Sequence, residues 1–171
     1  MAVIKIKTRI AAPPERVFDL ARNIDFHVDT QTRHRERAVP GPAPDGSPGI
    51  VTGLIGPGES VTWEAVHFGV RQRLTSRLGP EYYDRPRRFR DSMVPGSGAF
   101  AGFDHDHIFE IDPVAKHITV MIDVFDLRAP FGVFGRLAER LFLTAYMRRL
   151  LLERADLIRT TAESEEWRQY L

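Results

Sequence analysis

Between Ser60 and Leu127 apolar side chains return at nearly every second position, and beyond Pro130 the interval stretches to three and four residues. A period of two marks a strand with one buried face, and a period of about 3.6 marks a helix with one apolar stripe. A chain that switches from a run of strands to a long amphipathic helix folds as α+β, because the stripe must be covered by the apolar face of the sheet. Strands are expected at about 60–68, 70–78, 87–94, 100–111 and 117–127, separated by Gly69, Gly79-Pro80 and Asp112-Pro113. The closing helix is expected over about 132–162, its stripe made by Phe134, Leu137, Ala138, Leu141, Ala145, Leu152 and Ala155.

Upstream, Ile4, Ile6 and Ile10 alternate with Lys5, Lys7 and Arg9, which predicts a strand over about 2–10. Pro13-Pro14-Glu15 then breaks the strand, and Val17, Phe18 and Ala21 recur at helical spacing, so a helix follows over about 14–22. Asn23 or Asp25 can cap a second short helix that runs to Thr30. A short strand at 35–39 leads into residues 40–58, whose prolines and glycines mark a long irregular connection. Residues 1–162 are expected to form a single domain, with 163–171 as a C-terminal tail; a chain of 171 residues buries roughly 70% of its unfolded surface.

The 24 Lys and Arg nearly balance 23 Asp and Glu, for a formal net charge of +1. With that balance and no recognition module, the Arg-rich stretches 33–37 and 71–90 read as solvated faces, and nucleic acid is not expected as a partner. There is no cysteine, which excludes disulfides, thiolate metal sites and a cysteine nucleophile; a metal would have to be held by His and carboxylate. The apolar clustering at 141–152 falls short of the roughly 20 residues needed to span a bilayer. The first residues lack the apolar core of a signal peptide, so a cytoplasmic location is expected.

Three motifs carry a resemblance over nearly the whole length: Pro13-Pro14-Glu15-Arg16-Val17-Phe18, the stretch Val61-Thr62-Trp63-Glu64-Ala65-Val66-His67-Phe68-Gly69, and Asp104-His105-Asp106-His107-Ile108-Phe109 ahead of the final helix. With them the chain resembles the START-like (SRPBCC) helix-grip superfamily, which includes the polyketide cyclase/dehydrase and lipid-transfer branches, and within it a bacterial subgroup. The resemblance implies an antiparallel sheet wrapped around the C-terminal helix, two short helices after the first strand, and a cavity between sheet and helix. It implies no particular reaction, because fold does not carry function.

Alternation selects the side chains that would line such a cavity. Val61, Trp63, Ala65 and His67 share one face, with Glu64 on the outside; Gln72, Leu74, Ser76 and Leu78 share the inner face of the next strand. Phe89, Asp91 and Met93 point inward next, followed by Phe103, His105, His107, Phe109 and Ile111. Both faces of the last strand are largely apolar, and the face with Met121, Asp123 and Phe125 is preferred as the inner one because Asp126 belongs to the other.

The expected site therefore gathers His67, His105, His107 and Asp123 as candidate catalytic groups. His27, Trp63, Asp91, Phe103, Phe109, Met121, Phe125 and Arg148 are the candidate ligand-binding groups. His105-x-His107, with His67 and Asp123, has the donor types of a tetrahedral metal site. The preferred reading is that these histidines are hydrogen-bonded inside a polar pocket, so neither a metal nor any other cofactor is expected. Arg148 lies near the apolar stripe and either reaches a ligand or snorkels to water. Two functions follow: binding of a small hydrophobic or aromatic molecule, or a cyclase, dehydratase or hydrolase that uses a His general base assisted by Asp. A partner-binding module is a third reading, and a homodimer is left open.

Overall fold

The computed structural model describes residues 2–32, 35–67, 69–128 and 142–171. The strands are β1 (Ala2–Ile10), β2 (Arg37–Val39), β3 (Ser60–His67), β4 (Val70–Leu78), β5 (Arg88–Met93), β6 (Gly102–Ile111) and β7 (Thr119–Arg128). The helices are α1 (Pro14–Ala21), α2 (Ile24–Thr30) and α3 (Thr144–Glu163). All strand pairs are antiparallel, in the order β1-β7-β6-β5-β4-β3-β2. The part of the expected closing helix before Phe142, including Phe134, Leu137, Ala138 and Leu141, lies outside the described residues.

Period two fixes the two faces of this sheet. In β1, Ile4, Ile6 and Ile10 are buried while Lys5, Lys7 and Arg9 are exposed. In β7 Thr119, Met121, Asp123, Phe125 and Leu127 are all buried, whereas of the alternate set only Ile122 is, so the ambiguous strand turns Asp123 inward. Residue-by-residue pairing sets Asp91 opposite His105 and His107 opposite Asp123, all on the inner face. Glu64 lies on the outer face, as expected, yet it is only 3% exposed. Arg37, Arg71 and Arg73 from the neighbouring strands close over its carboxylate and shield it from water.

The inner face is covered by two different things. Phe18 of α1 is fully buried and meets the edges of Phe89, Phe109 and Tyr83 with ring centroids 5.2, 5.3 and 5.6 Å away. This end of the sheet is solid core, and it also contains Met121. Towards the other end α3 lies across β1, and Ile4, Ile6, Phe103, Phe125, Leu127 and Leu151 form a second apolar cluster.

The long connection between β2 and β3 is tied to the start of α2. The Asn23 side chain accepts from Phe26 N at 2.8 Å, which caps α2. Asp25 accepts from Thr52 Oγ1 and Gly53 N, both at 2.8 Å, and Ile24 N donates to Gly53 O. Gly53 has φ +80°, a left-handed conformation that glycine adopts without a Cβ clash. Residues after α3 turn back onto the first helices: Asn23 Nδ2 donates to Tyr170 O, the Tyr170 ring meets Phe26, and the Arg16 guanidinium lies over Trp167.

Candidate functional site

Where α1 no longer fills the inner face, a cavity of about 240 Å³ remains between the sheet, α2 and α3. Its walls are mostly apolar, with Leu74, Phe89, Phe103 and Phe125 on the sheet side and Met147 and Leu150 on α3. Its histidines enter it in three groups with different partners, beside other polar side chains such as Arg22, Gln31, Gln72 and Ser76.

The first group is a His–Asp quartet on the sheet floor. His107 Nε2 lies 3.1 Å from Asp91 Oδ1 and its Nδ1 lies 2.9 Å from Asp123 Oδ1. His105 Nε2 lies 3.1 Å from the same Asp123 oxygen, and the two imidazoles are stacked obliquely with centroids 3.8 Å apart. The geometry follows from strand order, because β6 runs between β5 and β7 and each inward His finds an inward Asp on either side.

Burial opposes the charge on His107, but the two carboxylates outweigh it and push its pKa up to about 9. Burial would also raise the Asp123 and Asp91 carboxyls, and their histidine partners instead hold both below the ordinary carboxylate value. At neutral pH His107 is thus an imidazolium facing an acid at each nitrogen. In that form it can donate a proton. His105 and Asp91 line the cavity beside it.

Asp91, His105 and His107 offer donor atoms that all lie within 4.8 Å of one another, the residue types of a cation site. A cation there would have to displace the hydrogen bond that ties His107 to Asp91.

The second group is His67 with Tyr146 of α3, joined at 2.7 Å between Nδ1 and Oη. His67 lines the cavity together with His105 and His107, and its hydrogen bond goes to α3 and not to the quartet. It sits at the last position of β3, where the strand end meets the start of α3.

The third group is His27, Arg154 and Glu36. The His27 ring packs on Trp63 with centroids 4.3 Å apart, and its Nε2 is 3.1 Å from Glu36 Oε1. Its Nδ1 is in contact with Arg154 Nη1, and because a guanidinium only donates, Nδ1 is the acceptor in that contact. Arg154 Nη2 also donates to Ala21 O. Burial alone lowers the Arg154 pKa to about 10, which still leaves it charged at neutral pH. Among the described residues no carboxylate pairs with Arg154.

Of the side chains singled out from sequence, His27, Trp63, His67, Asp91, Phe103, His105, His107 and Phe125 line the cavity. Asp123 stands behind the histidines and touches them, not the open space. Phe109 and Met121 face inward as expected but lie under α1, whose Phe18 fills the place a ligand would take. Arg148 is exposed: it follows Met147 on α3, and a step of about 100° around the helix carries it off the buried stripe. That stripe runs through Met147, Leu151, Ala155, Ile158 and Ala162, and Leu152 is 45% exposed.

Arg154 enters the cavity from α3, as Arg22, paired with Asp19, does from beside α1, and neither is among the residues singled out from sequence. A wheel centred on Leu151 and Ile158 would have found Arg154, which is three residues after one and four before the other.

No family model and no curated protein matches this sequence. Solved structures do. The protein TTHA0849 from Thermus thermophilus superimposes with a TM-score of 0.67 at 19% identity, covering 95% of this chain and 100% of that one. The ginseng major latex-like protein 151 from Panax ginseng gives 0.62 at 12% identity, covering 95% of this chain and 98% of its own. The di-domain ARO/CYC StfQ from the steffimycin biosynthetic pathway gives 0.59 at 16% identity, and 97% of this chain matches 46% of that one. With its sheet order, its two short helices after β1 and its long last helix, the chain has the START-like helix-grip fold.

Proposed function

We propose that the protein binds a small, mainly apolar or aromatic molecule in the cavity between the sheet and α3. The observation that carries this reading is a hollow of about 240 Å³ with aromatic and aliphatic walls and a few convergent polar groups. Filling that hollow with side chains would have been the cheaper solution for stability, since empty apolar space forfeits packing contacts. The test uses the apolar fluorescent probe N-phenylnaphthylamine. It should bind at a single site with enhanced emission, and Leu150→Trp, which fills the cavity, should weaken binding by roughly tenfold or more. Probe binding that is unaffected by Leu150→Trp overturns the reading.

A second reading is favoured by one observation, the approach of His105 and Asp91 to the cavity beside the protonated His107. In it, an enzyme of the cyclase or dehydratase kind removes a proton next to a carbonyl with His105 or Asp91. The His107–carboxylate system balances charge on the resulting enolate oxygen. Acetophenone in deuterated buffer provides the test: its methyl protons should exchange faster with the protein than without, and His105→Phe should remove the acceleration. Exchange no faster than in buffer alone sinks this reading and leaves the binding function in place.

A further inference from the structure

The proposed ligand reading leaves Arg154 unexplained. This guanidinium is drawn into the cavity wall from the middle of α3, between Leu150 and Leu151 on one turn and Ile158 on the next. Its described hydrogen-bond contacts are with two acceptors that are not carboxylates, His27 Nδ1 and Ala21 O. Glu36 is held off by the imidazole between them, because His27 accepts from Arg154 on one nitrogen and presents the other to Glu36. A cation sequestered in this way, with no acid against it among the described residues, is an incomplete pair. The guanidinium keeps N–H donors to spare in the planar fork that suits a carboxylate.

The apolar part of the cavity lies on one side of this charge. Two turns back along α3 stands Met147, and with Phe100, Phe103, Phe125 and Leu143 it makes a mainly apolar end, bordered by His105, whose ring meets Phe125 at 5.2 Å. Trp63, stacked on His27, stands at the charged end. One end of the hollow therefore suits a hydrocarbon or aryl body and the other a single negative charge.

We propose that the cavity is selective for organic acids, and that a ligand carboxylate pairs with Arg154 beside His27 while its apolar body extends towards Met147 and Phe103. This rests on the reading of the cavity as a binding site and adds the ligand's charge to it. Decanoate and decanol, which share a chain and differ in the anionic head, are titrated at neutral pH into the wild-type protein, with Trp63 fluorescence and calorimetry as readouts. Decanoate is expected to bind at least about tenfold more tightly than decanol. The ratio of the two affinities should fall to about one in Arg154→Met and stay well above one in Arg154→Lys.

Equal affinities in the wild-type protein overturn the inference and leave the cavity reading standing. So does a ratio that Arg154→Met does not change. Failure of both probes to bind overturns the cavity reading itself. The wild-type comparison needs no variant to fold, so the inference is exposed to refutation even if Arg154→Met is unstable.

Discussion

Strand β6 carries the same alternation on its two faces with opposite surroundings. On the outer face Asp106 takes two hydrogen bonds from Arg90, at 2.9 and 2.6 Å, and Asp104 is met by Ser92 and Arg128. On the inner face His105 and His107 are met by Asp91 and Asp123 at similar distances. The contacts look alike, but side-chain exposure is 25% and 16% for Arg90 and Asp106 against 3% and 6% for His107 and Asp123. Water competes for the outer charges and screens them, whereas His107 or Asp123, on losing its partner, has little else to turn to; Asp91, 25% exposed beside the cavity, is the more open inner member. Equal geometry on the two faces should not mean equal energy.

The largest expected effect is that of Asp123→Ala. It strips one acid from both histidines at once, and unfolding in urea at neutral pH should show a loss of about 3–5 kcal/mol. A loss below about 1 kcal/mol would break the comparison, because the quartet would then behave like a surface pair.

The pH dependence comes next. His107 has its pKa raised from 6.5 to about 9 on folding, so its contribution is fully present below 6.5 and is lost as pH rises through about 9. Asp91 and Asp123 are held below their ordinary 3.8, so their contribution is present above that value and fades as pH falls beneath it. Thermal unfolding should therefore show stability declining on the alkaline side between those two His107 values, and His107→Leu should flatten that decline. A wild-type profile with no slope there would mean that His107 is neutral in the folded protein.

The outer face supplies the small effects. Arg90→Ala also removes a guanidinium stacked over Tyr82 at 4.0 Å, and it should cost less than about 1 kcal/mol and depend on salt. Arg128→Ala, where the partners are 46% and 35% exposed, should leave the urea midpoint unchanged within error. If either matched Asp123→Ala, the distinction between the faces would fall.

The facing of each strand was legible because period two leaves a clear trace, and Asp126 was enough to turn Asp123 inward. What lies over each face was not legible. Alternation shows that Phe109 and Met121 point in, but not that Phe18 of α1 has taken the space above them. The wheel for α3 rests on Phe134 and its neighbours, outside the described residues, and of the observed stripe it takes Ala155 but not Leu151 or Ile158; hence it selects Arg148 and passes over Arg154. The His67–Tyr146 pair joins positions 79 apart in sequence, and no local pattern announces such a meeting. Glu64 was placed on the correct face, yet its burial depends on three arginines from two other strands.

The Asp-His-Asp-His run of β6 also has a bearing on how this strand must align. A slip of one position, from a single inserted or deleted residue, would turn Asp104 and Asp106 towards Asp91 and Asp123 and expel both imidazoles. Four carboxylates would then crowd a dry space with no base among them. Strand β6 thus carries its own reading frame, written in charge, and repulsion opposes a misaligned pairing in addition to any loss of side-chain fit.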